Sequence, residues 1–205
     1  MRKQVTFLPA LALGAAGTIL SATPSIAVPI TYTEQVTGAS GSLGGTSFAN
    51  ATVTLTMNND TTNVSGSPPS FFNVQTMPLM LNVTGFPTAT FTDTIQAAVN
   101  QTTSLASPNA GFGDNTAVQG ILFTKNASFN TYDLKTSIGP LMGTAIFTLG
   151  ESFLTTDGSF VLNTITGQAS FTATVSPALP EPASLALLVV GLAGLGLIEY
   201  RRKKS

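Results

Sequence analysis

The chain has 205 residues, with eight lysines and arginines against nine aspartates and glutamates, and it contains no cysteine, histidine or tryptophan. Those absences exclude a disulfide framework, a thiolate metal site, imidazole acid-base catalysis and every serine-histidine triad. The net charge of −1 hides a partition, because six of the eight bases lie within the first three and last five positions, leaving residues 28 to 179 with seven acids, two bases and a net charge of −5. A body so poor in cations lacks the electrostatic footprint that nucleic acid binding needs.

The N-terminus follows the plan of a secretory signal. Arg2-Lys3 precedes an apolar run from Phe7 to Leu20, and small residues follow from Ser21 to Ala27. Ser25 and Ala27 supply the small-x-small pattern, which places cleavage after Ala27. An apolar run of fourteen residues that includes Pro9 is too short to span a bilayer well, so residues 1–27 are expected to be removed on export.

Residues 28–176 read as one all-β domain, large enough for a core. In Ala51-Thr52-Val53-Thr54-Leu55-Thr56-Met57 the threonines share one face and Val53, Leu55 and Met57 the other. The same period of two recurs in residues 79–84, 88–92 and 171–175, as half-buried strands require. Turn signals separate these runs, at Asn58-Asn59-Asp60, Gly66-Ser67-Pro68-Pro69, Gly85-Phe86-Pro87 and Ser107-Pro108-Asn109. Asp157-Gly158 predicts a hairpin of Glu151–Thr156 with Ser159–Thr164, turning through a primed turn on those two residues and continuing as a meander into Gln168–Val175. Ile95–Ser104 fits a short helix or a strand. Short strands at this spacing predict a single antiparallel β-sandwich of jelly-roll or immunoglobulin-like order, with an open barrel as the alternative. Phe91, Phe123, Phe147, Phe160 and Phe171 are expected to face its core.

No catalytic constellation emerges from this body. Asp114 and Asp157 are the exposed acids, and a loop cap and a turn account for them. Asn58, Asn59, Asp60 and Asn63 offer oxygens to calcium without the alternating acidic ladder of a calcium loop. Lys125 and Lys135 lack the Ser-x-x-Lys spacing of a serine-lysine hydrolase. With Tyr32 and Tyr132 as the only tyrosines before the tail, stacking platforms for sugar are few. No catalytic residue, metal ligand or cofactor is expected.

The chain ends in three parts. Residues 177–182 form a stiff linker containing Pro180-Glu181-Pro182, in which each proline disfavours helix and leaves Glu181 in an extended tripeptide. Sixteen apolar residues follow from Ala183 to Ile198. As a helix they reach roughly 24 Å, a marginal span of the hydrocarbon core, within an expected transmembrane segment at 183–200. Arg201, Arg202, Lys203 and Lys204 then hold residues 201–205 in the cytoplasm and set the topology.

A short motif, an apolar helix and a basic end in this order resemble the PEP-CTERM sorting signal of Gram-negative exported proteins. The resemblance rests on Pro180, Glu181, Pro182, the helix and Arg201 to Lys204; Glu199 departs from the usual basic end. The segments Gly41–Phe48, Tyr132-Asp133-Leu134 and Ser137–Pro140 are also similar to stretches common in such proteins. The resemblance implies a substrate of an exosortase, a membrane-embedded cysteine protease or transpeptidase, held in the inner membrane by its tail and then released to the cell surface or extracellular matrix. It also implies a setting rich in exopolysaccharide, and the Asn-x-Ser/Thr sequons, Asn50-Ala51-Thr52 among them, offer acceptors for sugars. The alternatives are a plain membrane anchor at the tail and a membrane-anchored binding module that holds carbohydrate or calcium on the sandwich rim.

Overall fold

The computed structural model describes residues 28–102, 108–115 and 120–177. Thirteen strands lie among them. The first six are β1 (Pro29–Leu43), β2 (Thr46–Asp60), β3 (Val64–Ser67), β4 (Ser70–Val74), β5 (Met80–Val83) and β6 (Ala89–Thr90). The remainder are β7 (Ile95–Asn100), β8 (Asn109–Asp114), β9 (Gly120–Lys125), β10 (Ile138–Ile146), β11 (Ser152–Thr155), β12 (Gly158–Ile165) and β13 (Ala169–Val175).

The chain is all-β and antiparallel, as the alternation predicts. Its strands form one hydrogen-bonded sheet in the order β3-β4-β7-β8-β9-β10-β13-β1-β2-β5-β6, with β12 on β1 and β11 on β12. This sheet curls into a half-barrel, where two packed layers were expected. The reason for the continuity lies in β10, whose Ile138–Gly143 portion pairs with β13 while Thr144–Ile146 pair with β9. No gap therefore opens between the part that holds β1 and the part that holds β7 to β9.

β1 and β2 form a long hairpin that organises the rest. Leu43 pairs with Thr46, and the two residues between them, Gly44 and Gly45, have φ of 59° and 80°. Positive φ at both central positions is the primed geometry that matches the twist of the flanking strands, and glycine adopts it without steric cost. Along β1, Ile30, Tyr32, Glu34 and Val36 all point into the core.

At one end the pairing closes into a circuit. β1, β2, β5 and β6 pair in succession, Phe91 at the end of β6 bridges Thr155 of β11, and β11 returns through β12 to β1. Thr92 donates its backbone N–H to Leu154, and Thr156 donates to Thr90. Inside this circuit Phe91 meets the rings of Phe160 and Phe153 at centroid distances of 6.0 and 6.5 Å. A second aromatic group fills the other end, where Phe171 meets Phe129 at 5.6 Å, Tyr132 at 6.1 Å and Tyr32 at 6.3 Å. Each buried phenyl contributes roughly 1.5–3 kcal/mol of transfer free energy.

Two details correct the sequence reading. Thr155 pairs with Gly158, so Thr156 and Asp157 are the centre of the β11–β12 turn. Positive φ falls on Gly158 alone, at 100°, where a primed Asp-Gly turn would put it on Asp157 as well. Nor does a meander continue into β13: β12 pairs with Ala39–Leu43 of β1, and β13 pairs with Ile30–Val36 of the same edge. The two strands lie end to end, separated by a register shift opposite Thr37-Gly38, where Thr166 donates its N–H to the Gly38 carbonyl.

Candidate functional site

β4, β7, β8, β9 and β10 are neighbours, and their pairing lines up residues across five strands. Ile95, Ala97, Val99, Ala110, Phe112 and Leu122 face the core. The opposite face carries the row Phe72–Ala98–Gly111–Phe123–Ile146. Large side chains stand at its ends and nearly nothing in the middle. Two residues along the strands in one direction lies the polar row Ser70–Asn100–Asn109–Lys125–Thr144. Two residues the other way lies Val74–Gln96–Gly113–Gly120.

Together these rows make a trough of about 380 Å³ on the outer face. The wall strands β4 and β9 are three strand spacings apart, about 14 Å, and consecutive rows are separated by about 7 Å along the strands. Phe72 on one side and Phe123 with Phe147 on the other form the walls. Any side chain at Gly111 would force the floor to shift, because a Cβ there would lie 2.2 Å from the Leu122 carbonyl oxygen. Asn100 is held at the rim, since its Oδ1 accepts from both the N–H and the hydroxyl of Thr102. Asp114 stands at the opposite rim.

Phe123, expected in the core, is thus half-buried and lines this trough, whereas Phe147, also half-buried at the wall, packs against the core as expected. The physical reason for Phe123 is its register opposite Gly111, which puts its ring on the outer face. Phe91, Phe160 and Phe171 are buried as expected. The sequence signal for the trough was the glycine spacing of Gly111-Phe112-Gly113, which leaves one face of β8 bare.

The interior carries two polar arrangements. Glu34 is fully buried, and its Oε1 accepts from the Thr124 hydroxyl at 2.5 Å, while Oε2 meets no partner among the described residues. Burial raises its carboxyl well above the ordinary value, and the Thr124 hydrogen bond offsets only part of that. Buried in this way, the carboxyl cannot serve as an exposed base. The second arrangement starts from the Tyr32 hydroxyl, which donates to the Leu134 carbonyl at 2.6 Å and accepts from Asn73 Nδ2 at 2.8 Å. Asn73 also donates to the Asp60 carbonyl and accepts from Asn59, whose Nδ2 reaches the Val74 carbonyl as well. This clasp ties β1 and β2 to β4 where no strand ladder joins them.

The clasp also accounts for the group weighed as a calcium site. Oδ1 of Asn59 accepts from Asp60 N–H, Asn63 and Thr76. Oδ1 of Asp60 caps a 3-10 turn at Thr61–Asn63 by accepting from Thr62. These two oxygens, Oδ1 of Asn59 and Oδ1 of Asp60, are engaged by hydrogen-bond donors and act as fasteners. Asp157 sits in its turn, its N–H donating to the Thr155 hydroxyl. Asp114 lies in β8 and Lys125 in β9, whereas Asp157 lies in the β11–β12 turn and Lys135 between β9 and β10.

Ser25, Ala27, Pro180, Glu181, Pro182 and Arg201 to Lys204 lie outside the described residues. No helix among the described residues is long and apolar enough to cross a membrane, and the expected segment at 183–200 is not among them. A scan against protein-family models and searches of curated proteins and of solved structures returned no match.

Proposed function

We propose that the chain is a non-enzymatic exported protein of the cell surface or extracellular matrix, sorted as an exosortase substrate. In this reading residues 1–27 direct export, residues 183–200 hold the chain in the inner membrane, and the enzyme acts near Pro180-Glu181-Pro182. The observation that carries it is the order of parts at the tail: an extended acidic tripeptide between prolines, sixteen apolar residues, then four cations. Those cations resist translocation and leave Glu181 and the β body on the outer side. In support of a non-catalytic role, three of the body's seven acids have structural places, Glu34 in the core, Asp60 at a cap and Asp157 in a turn.

Mass spectrometry of both ends of the protein recovered from an exosortase-bearing host tests the proposal. The expected product starts at Val28 and lacks the tail through Ser205, whereas a Glu181→Ala variant keeps its tail and stays with the membrane. Wild-type protein that retains Ser205 would sink the processing step and leave a plain anchor.

A further inference from the structure

We infer that the trough on the outer face of β4, β7, β8, β9 and β10 binds a neutral oligosaccharide, with sugar rings lying on Ala98 and Gly111 between Phe72 and Phe123. This goes beyond the sorting proposal and does not depend on it. The reasoning begins with what the floor can offer. Backbone groups of β7 and β8 are spent on each other and on their neighbours in the ladder, so a ligand meets only Cα hydrogens, one methyl group and side chains. An extended peptide would seek a free strand edge instead, and the edge of β4 is occupied by β3.

The side chains on offer are of two kinds, in alternating rows. Phenyl rings wall the central row, where they can cover the C–H faces of a pyranose. Amides stand two residues to either side, Gln96 in one direction and Asn100 in the other on the same strand. Gln96 can both donate and accept, and Asn100, whose Oδ1 is engaged by Thr102, can donate from Nδ2, which suits hydroxyl groups that do both. A saccharide has this layout: apolar ring faces and a hydroxyl rim. The span of about 13 Å from the Asn100 row to the Gln96 row accommodates two linked rings. A mostly apolar concavity with a few fixed polar groups is the usual make-up of a ligand site. Charge favours a neutral sugar: Lys125 is the one cation in the Asn100 row, while Asp114 at the opposite rim and the body's net charge of −5 disfavour an anionic chain.

The test titrates the full chain in detergent with uncharged hexasaccharides of glucose in β1→4, α1→4 and β1→3 linkage and of mannose in α1→6 linkage, and with oligogalacturonate as the anionic control, by calorimetry. At least one neutral hexasaccharide is expected to bind saturably at concentrations below about 10 mM, and oligogalacturonate is not. Ala98→Phe fills the trough and should weaken binding at least about tenfold. Gln96→Ala removes a rim amide without touching the core, so it tests the same site if Ala98→Phe fails to fold; it should weaken binding by about three- to tenfold at an unchanged melting temperature. Absence of saturable binding by all four neutral sugars overturns the inference. So does preference for oligogalacturonate, or neutral-sugar binding that both variants leave intact.

Discussion

Thr124 of β9 reaches through the interior to donate its hydroxyl hydrogen to Oε1 of Glu34 on β1, joining two strands ninety residues apart in the chain. The contact puts a titratable group among apolar side chains, with consequences for stability.

The first concerns pH. The carboxyl of Glu34 is raised in the folded state, so its contribution is fully present below the unfolded value of about 4.5 and is lost as pH rises toward the folded one. Over that window this single group should lower unfolding free energy by up to about 1.4 kcal/mol per pH unit. Glu34→Gln keeps an acceptor for Thr124 and cannot ionise. Urea unfolding of both proteins between pH 4 and pH 8 should show the wild type losing stability relative to the variant as pH rises. Parallel curves would refute the assignment.

Thr124→Val leaves Glu34 buried with neither oxygen bonded. The expected loss is about 1–3 kcal/mol, whereas Glu34→Leu combined with Thr124→Val should cost less than the sum of the two single changes. A double-mutant cycle by chemical denaturation measures that coupling, and additive effects would mean that the two side chains are energetically independent.

Asn73 makes three hydrogen bonds in the clasp, to Tyr32, Asp60 and Asn59. Asn73→Ala should therefore destabilise by about 2–4 kcal/mol, and Tyr32→Phe by about 1–2 kcal/mol, in the same denaturation assay. Equal effects would place the anchoring in the Tyr32 hydroxyl alone.

Gly111→Ala puts a methyl group against the Leu122 carbonyl oxygen, 2.2 Å away in the present backbone. Relief requires β8 and β9 to move apart, at a cost of at least about 2 kcal/mol. Hydrogen exchange should show faster exchange at Phe112, Leu122 and Phe123, while β1 and β2 keep their protection. Uniform protection throughout would count against so tight an approach of these strands.

Strands with alternating threonine and aliphatic residues were legible directly, because every second side chain of β2, β5 and β13 meets the same environment. Two features resisted reading for physical reasons. The inward phase of β1 includes Glu34, and an acid breaks the apolar alternation that would have marked that face. The end-to-end placement of β12 and β13 depends on a register shift in β1 opposite them, a long-range relationship that local turn chemistry around Gly167 does not encode. Phe123 was misplaced for a related reason. Its pairing partner Gly111 decides which face it occupies, and one strand alone cannot reveal its partner's gaps.

The closed circuit of β1, β2, β5, β6, β11 and β12 bears on how such molecules behave when crowded. A strand already paired on both sides offers no template for another copy, and the outer strand β3 is four residues long, with Val64, Ser65, Gly66 and Ser67 as its whole length. Without cysteines to staple it, this fold guards against fibrous self-association by geometry, presenting neighbours with side-chain faces in place of bare amide ladders.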